Sequence, residues 1–201
     1  MKNLGSRIQE VFKKGDMVLL ALCVVASLFG IVMIYAATTT EDNSRYLIIQ
    51  TGCLIAGVLI YLALTSFDID ILAGQRTVLF IFNAAFILLL LVFGIEGDTG
   101  NRSWLRFPFL PFNIQPAEVC KIFYVVILAK TMSINQTRIS SPRSVISLTF
   151  HMLFIVGLII LISGDTGVAL IFVFIFVAMA FVGGINGWWF LAGGGALAAA
   201  A

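Results

Sequence analysis

Long runs without charge constrain the fold of this chain more than any other feature. About 20 apolar residues suffice to span a bilayer, so each long run is a candidate transmembrane helix. Of the 201 residues, 61% are hydrophobic and only 11% are charged. The uncharged runs cover residues 17–40, 46–67, 77–95, 144–164 and 166–201. The sequence therefore predicts an all-α integral membrane protein.

A glycine-rich segment divides the last uncharged run, which is long enough for one and a half spans. Residues 183–187 read Gly-Gly-Ile-Asn-Gly, and two tryptophans follow at positions 188 and 189. Glycine clusters mark turns, and tryptophan is enriched at membrane interfaces. We predict one helix over about residues 168–182 and another that begins near Trp189.

A further predicted span contains charged residues. Only eight uncharged residues separate Lys121 from Lys130, which is too few for a span. If a helix begins after Gln115-Pro116, with Pro116 near the first turn where its missing N–H does no harm, the span covers about residues 117–134. The alternative is a re-entrant or interfacial segment. With this span, the sequence predicts a polytopic bundle of six to seven transmembrane helices in a single membrane domain, residues 1–201.

Glu118 and Lys121 lie three residues apart at the start of that predicted helix. A charge inside hydrocarbon costs at least a few kcal/mol, so charged residues there mark a functional site by default. Residues i and i+3 share one helix face. We expect the two side chains to neutralise each other while facing the bundle interior or a wet cavity.

The distribution of lysine and arginine predicts the orientation, because cytoplasmic connections are enriched in both. With a cytoplasmic N-terminus, eight of these residues lie inside and three outside. The basic N-terminus and the run that follows are interpreted as a retained signal-anchor. The loop of residues 96–115 then faces the exterior. The inside set is Lys2, Arg7, Lys13, Lys14, Arg76, Lys130, Arg138 and Arg143, and the outside set is Arg45, Arg102 and Arg106.

No motif for a cofactor, a metal or a nucleic acid is present, and none of these is predicted for the chain itself. Cys23, Cys53 and Cys120 all fall within apolar runs, which argues against a disulfide framework and predicts packing residues. His151, the only histidine, is predicted to hydrogen-bond across helices. The phosphate loops and Ser-His-Asp sets of soluble enzymes are missing.

A short repeat, Gly-Asp-Thr-Gly, occurs at residues 97–100 and 164–167, each time at a predicted exterior end of a span. Turn chemistry explains such a sequence, because Asp and Thr bond to the backbone and Gly permits unusual angles. The flanking residues differ between the copies, so an inverted-repeat transporter receives little support. Asp165 lies between two long apolar runs with almost no loop, and we expect it to face a cavity or a partner.

Arg102, Trp104 and Arg106 lie in the predicted exterior loop, ahead of the aromatic and proline residues 107–112. Arginine binds phosphate with a planar fork of donors, and aromatic side chains lie at headgroup level. Together they predict a site for an anionic, lipid-linked ligand. The alternative is an ordinary aromatic belt in which both arginines contact lipid headgroups.

Two blocks of this region resemble the signature of the SEDS family (shape, elongation, division and sporulation), which includes RodA, FtsW and SpoVE. Residues 100–105 read Gly-Asn-Arg-Ser-Trp-Leu, and residues 115–121 read Gln-Pro-Ala-Glu-Val-Cys-Lys. Residues 164–169 are similar to the family's Pro-Asp-Leu-Gly-Thr-Ala turn, with Gly164 in place of the proline. The resemblance covers essentially the whole chain.

This resemblance implies a multi-pass protein of the bacterial cytoplasmic (inner) membrane that assembles peptidoglycan in cell shape, elongation or division. The implied reaction is the polymerisation of lipid II, an undecaprenyl-diphosphate-linked precursor, by a peptidoglycan glycosyltransferase. A class B penicillin-binding protein is the implied partner, and a divalent cation is compatible with the full-length family. The predicted substrate-binding residues are Arg102, Trp104, Arg106, Gln115, Glu118, Lys121 and Asp165.

The catalytic residues stay unknown at this point. The family resembles a ten-span bundle whose presumed catalytic carboxylate follows the seventh span, and Ala201 falls within what would be that span. We therefore expect an N-terminal part of a SEDS protein that is not catalytic alone. Two other classes stay open: a transporter or flippase of lipid-linked precursors, and a non-catalytic subunit that binds lipid II or a partner protein.

Overall fold

The computed structural model describes residues 15–37, 43–65, 69–97, 100–107 and 113–200. Three parts of the sequence that carry predictions lie outside these ranges: the N-terminal lysines and arginines, residues 98–99 of the first Gly-Asp-Thr-Gly copy, and residues 108–112 of the aromatic and proline segment. The contacts divide the chain into two compact units, residues 1–69 and 70–201. The single membrane domain stays a prediction.

The first unit is a pair of helices, α1 (Met17–Ala37) and α2 (Asn43–Thr65). The Oδ1 atom of Asp16 accepts a hydrogen bond from the Leu19 N–H at 2.9 Å, which caps the start of α1. The Tyr61 hydroxyl, near the end of α2, donates to the Asp16 carbonyl at 2.9 Å. The two helices are therefore antiparallel. No residue of α1 is buried, as expected for apolar side chains that face lipid.

The second unit is a helical bundle with one short strand pair. Helices α4 and α7 begin at the same end of this unit, and α6 contacts both and runs in the opposite direction. A 3₁₀ turn, Gln136–Arg138, joins α6 to α7. The elements are α3 (Ile69–Gly74), α4 (Arg76–Leu88), α5 (Leu90–Phe93), β1 (Gly94–Ile95), β2 (Trp104–Leu105), α6 (Pro116–Ile134), α7 (Pro142–Leu158), α8 (Thr166–Val182) and α9 (Gly187–Ala200).

The helix boundaries follow the sequence closely. Helix α6 has Pro116 in its first turn and ends at Ile134, as predicted. The glycine-rich segment separates α8 from α9, also as predicted. Four helices of the described chain are long and apolar enough to span a membrane: Met17–Ala37, Arg45–Thr65, Arg76–Phe93 and Pro142–Ser163. The protein is thus an all-helical membrane protein with four candidate spans, and the count of six to seven stays a prediction.

Helix α6 forms the centre of the second unit. Cys120, Tyr124 and Leu128 recur at every fourth residue, which puts them on one helix face, and all three are fully buried. The Tyr124 ring lies 5.1 Å from that of Phe172 on α8. The Asn83 amide of α4 donates to the Cys120 carbonyl at 3.4 Å. Close packing of this kind stabilises helix bundles in lipid, where burial from water contributes little.

The cysteine and histidine predictions need correction. Cys120 packs in the core as predicted, but Cys23 and Cys53 are exposed, because α1 and α2 have only each other to pack against within the first unit. Within the described ranges, His151 makes no hydrogen bond across helices. Its ring centroid lies 5.2 Å from that of Phe80 and 5.2 Å from that of Tyr124, so its neighbours are aromatic. Its Nε2 atom is buried without a hydrogen-bond partner among the described residues.

Helix α7 ends in an unusual way. Its last α-helical residue, Leu158, is followed by a π-helical turn, Ile159–Ser163, and then by Gly164. Gly164 has φ +70°, a left-handed conformation that ends the helix. Proline, whose φ is fixed near −65°, cannot adopt this left-handed conformation, which explains why position 164 has glycine instead. We call the end of the second unit that carries Gly164 and residues 94–97 and 100–107 the loop end, and the opposite end the far end.

Candidate functional site

The loop after α5 folds back across the loop end as a small antiparallel ladder. Gly94 pairs with Leu105 and Ile95 with Trp104. Leu105 also pairs with Ile114, through N–H to carbonyl bonds of 2.7 and 2.9 Å. This bridge brings the segment around Trp104 next to Gln115, the residue that precedes α6. The two sequence blocks, residues 100–105 and 115–121, therefore adjoin in the fold.

Arg102 fastens this loop to the helices. Its backbone N–H donates to the Ser163 carbonyl at 3.0 Å, and its side-chain Nε donates to the Gly94 carbonyl at 3.0 Å. A Cβ atom at position 94 would collide with the Leu90 carbonyl and lie 2.9 Å from the Arg102 Cγ. Gly94 is thus required for the close approach. The terminal nitrogens of Arg102 stay at the surface, since the side chain is exposed.

A serine pair links the loop to the turn between α7 and α8. The Ser103 hydroxyl donates to the Asp165 Oδ2 at 3.3 Å and lies 2.6 Å from the Ser163 hydroxyl. Because the single hydrogen of Ser103 is directed to Asp165, Ser163 acts as the donor in the second contact. Both serines are buried. Sequence reasoning assigned no role to either serine, although Ser103 lies inside the Arg-x-Trp block.

Asp165 is the N-cap of α8. Its Oδ1 accepts a bond from the Val168 N–H at 2.9 Å, while its Oδ2 accepts the bond from Ser103. An aspartate at this position satisfies an unpaired N–H and complements the positive end of the helix. Both carboxylate oxygens are therefore engaged within the protein. This bonding accounts for the second Gly-Asp-Thr-Gly copy as turn chemistry.

Glu118 and Lys121 form the predicted ion pair. The Lys121 Nζ lies 2.8 Å from the Glu118 Oε1. The Lys121 side chain is 20% exposed and that of Glu118 is 55% exposed, so the pair lies at the surface of the second unit rather than in its core. Glu118 also lies in the first turn of α6, where a negative charge is favoured.

The remaining predicted residues keep their polar groups available. Arg106 is exposed and has no hydrogen bond or ion pair within the described chain. Gln115 occupies the N-cap position of α6 without a side-chain capping bond. Trp104 is 37% exposed, and its indole lies where a Cβ on Gly97 would be 3.2 Å away. All seven predicted residues thus lie at the loop end. Glu118 and Lys121 bond to each other, however, and Asp165 bonds to Ser103 and to the Val168 N–H.

The described residues do not fit a protein-held metal ion. They contain no group of three or more His, Cys, Asp or Glu side chains close enough to share one. Asp165 and Glu118, the two predicted carboxylates, already have protein partners.

The comparison with known proteins decides the family. The family model described as a cell cycle protein, which covers FtsW, RodA and SpoVE, matches residues 16–200. The chain belongs to this family. The resemblance of the two sequence blocks to SEDS proteins is thereby confirmed.

Individual relatives agree with this assignment. The probable peptidoglycan glycosyltransferase FtsW of Geobacter sulfurreducens is 28% identical over 197 residues, which cover 90% of this chain and 50% of the relative. The crystal structure of Thermus thermophilus RodA, the rod shape determining protein, matches with a TM-score of 0.70 at 28% identity, covering 90% of this chain and 57% of that one.

A third relative belongs to an assembly. A chain of a peptidoglycan synthase complex, studied for its coordination of polymerization and crosslinking, matches with a TM-score of 0.71 at 28% identity. The match covers 89% of this chain and 51% of that chain. The protein therefore has a RodA-like fold, and it spans about half the length of the relatives that it matches.

Proposed function

We propose that the protein takes part in peptidoglycan assembly in the bacterial cytoplasmic (inner) membrane, and that its loop end binds the diphosphate of lipid II. The main support for this proposal is the Leu105–Ile114 bridge, which brings the two family motifs, residues 100–105 and 115–121, together on one surface. The name of the FtsW relative, a probable peptidoglycan glycosyltransferase, supports the same function. A transporter or flippase receives no comparable support.

The chemistry of the loop end suits an anionic ligand. Among the described residues, Arg106 has a guanidinium without a partner, and the Arg102 guanidinium uses only its Nε. Guanidinium groups bind phosphate oxygens through two parallel bonds. Gln115 adds an uncommitted amide at the N-terminus of α6, where the helix favours negative charge. The exposed part of Trp104 can contact the lipid chain or sugar of the same ligand.

Glycosyl transfer from a diphosphate needs a base for the acceptor hydroxyl and positive charge for the leaving group. Arg102 and Arg106 suit the second role. Asp165 does not suit the first, because its two oxygens cap α8 and accept from Ser103. We assign it to holding the loop against the α7–α8 turn, which fixes the position of Arg102. Glu118 and Lys121 are assigned to the rim of the same surface.

The proposed topology has the N-terminus in the cytoplasm, six to seven spans and the loop end outside. The far end of the second unit carries Arg76, Lys130, Arg138 and Arg143, whereas its loop end carries Arg102, Arg106 and the ion-paired Lys121, so the larger number at the far end supports this orientation. A class B penicillin-binding protein is the proposed partner. Its support is the peptidoglycan synthase complex among the structural relatives.

Replacing Arg106 tests the binding proposal. Arg106→Ala should weaken the binding of fluorescent lipid II to the purified protein in nanodiscs about tenfold, the lower limit for loss of a charge-assisted bond at an exposed site. Arg138→Ala removes an equally exposed arginine from the far end and serves as the matched control. Equal affinities for both variants would contradict the proposal.

A further inference from the structure

A cavity with polar and apolar lining residues lies at the far end of the second unit, away from the loop-end site. It encloses about 480 Å³, within the range of about 300–1,000 Å³ that is usual for small-molecule sites. Its walls come from the first turns of α4 and α7 and the last turns of α6. Its polar lining includes Arg76, Thr131, Asn135, Arg143, Ser144 and His151.

The charges at this cavity are positive. Arg76 is the first residue of α4, and Arg143 is the second residue of α7. Both side chains are exposed, and neither has a hydrogen bond or an ion pair with any described residue. The N-termini of two long helices add partial positive charge at the same place. No carboxylate is among the described lining residues, and Lys130 of α6 pairs with Asp70 at 3.1 Å instead.

Two buried polar atoms in the lining have no partner in the described chain. The Ser144 hydroxyl belongs to a residue that is 6% exposed, and the His151 Nε2 to one that is 9% exposed. The two residues are seven positions apart on α7, so they occupy one helix face and line the cavity at two depths. Buried polar groups normally have hydrogen-bond partners. Ser144 and His151 both line the cavity, so these unpartnered groups favour a polar occupant there, either water or the polar atoms of a ligand.

We propose that this cavity binds a phosphate group, held by Arg76 and Arg143 at the mouth and by the Ser144 hydroxyl deeper in the site. The apolar lining, which includes Phe80 and Leu148, leaves room for the carbon skeleton attached to that phosphate. The ligand is either the headgroup of an anionic phospholipid in the adjacent leaflet or a soluble phosphate. This site does not depend on the function proposed for the loop end.

The test uses the purified protein with two probes. Native mass spectrometry measures the retention of phosphatidylglycerol against phosphatidylcholine, and calorimetry in a neutral detergent measures the binding of glycerol 3-phosphate. The double variant Arg76→Gln with Arg143→Gln should bind at least about tenfold more weakly than the wild type. The double variant Lys130→Gln with Arg138→Gln makes the same change of net charge at the same end without altering a lining residue, and it should bind like the wild type.

Ser144→Ala keeps the proposal testable if the arginine variant folds poorly. It removes a hydroxyl that has no partner among the described residues, so a purely structural role predicts unchanged ligand binding, whereas the phosphate site predicts weaker binding. Retention of phosphatidylglycerol alone would identify a lipid headgroup, and binding of glycerol 3-phosphate would identify a soluble ligand. The proposal is overturned if neither probe binds, or if the cavity and control variants bind equally.

Discussion

The bonding of Asp165 predicts a specific contrast between two substitutions. Asp165→Ala removes the cap of α8 and the acceptor of the Ser103 hydroxyl, bonds of 2.9 and 3.3 Å. Loss of an N-cap costs about 1 kcal/mol, and the long second bond contributes about 0.5–1 kcal/mol. The free energy of unfolding should fall by about 2 kcal/mol, which corresponds to a decrease in Tm of about 4–8 °C for a chain of this size.

Asp165→Asn should behave differently. Asparagine caps helices about as well as aspartate, and its carbonyl oxygen can accept only one of the two bonds. We therefore expect Tm to decrease by no more than about half as much as in Asp165→Ala, with cell-wall function retained. Thermal unfolding in detergent, monitored by circular dichroism, measures the first quantity, and complementation in a cell that depends on this protein measures the second.

A double-mutant cycle separates the two bonds of Asp165. Ser103→Ala combined with Asp165→Ala should show a coupling energy of about 0.5–1 kcal/mol, the contribution of their mutual hydrogen bond. A coupling of zero would show that the Ser103–Asp165 hydrogen bond does not contribute to stability. If Asp165→Asn folds normally but is as inactive as Asp165→Ala, the carboxylate charge itself is needed, and the structural role assigned to Asp165 is wrong.

Two further predictions concern the backbone and the topology. Gly164→Ala should lower the free energy of unfolding by about 1–2 kcal/mol because alanine resists the left-handed conformation, whereas Gly157→Ala, inside α7 with open space around it, should be neutral or slightly stabilising. Equal Tm values for these two variants would contradict the explanation. Single cysteines replacing the exposed Asn113 and Thr137, in a background without native cysteines, should be labelled by a membrane-impermeant maleimide from the exterior and the cytoplasmic side, respectively. Labelling of both from one side would refute the proposed topology.

Local rules were enough to predict much of this fold. Pro116 determines the start of α6, and the glycine-rich segment determines the break before α9, because both effects depend on backbone geometry within a few residues. The Glu118–Lys121 pair was predictable for the same reason, since it spans less than one helical turn. The family assignment required only residues 100–105 and 115–121, which are short and contiguous.

The features that sequence reasoning missed depend on contacts between distant parts of the chain. Ser103 and Ser163 are 60 positions apart, and nothing near either residue indicates the other. The aromatic surroundings of His151 come from Phe80 and Tyr124 on two other helices. The far-end cavity is likewise formed by the ends of three helices. From the sequence, Arg76 and Arg143 indicated only the orientation of the chain in the membrane. Hydrophobic runs identify helices but do not specify which polar side chains meet between them.

The π-helical turn, Ile159–Ser163, restricts how this region can change in evolution. A π turn corresponds to one extra residue accommodated within a helix that otherwise has about 3.6 residues per turn. Deletion of one residue between Pro142 and Ser163 would relax the turn to a regular α-helix and leave Ser163 facing Ser103, because the turn absorbs the change in length. Deletion of a second residue has no such turn to absorb it and would rotate everything after it by about 100° relative to the loop. Substitutions and one deletion in α7 should therefore be tolerated, whereas a second deletion should be selected against.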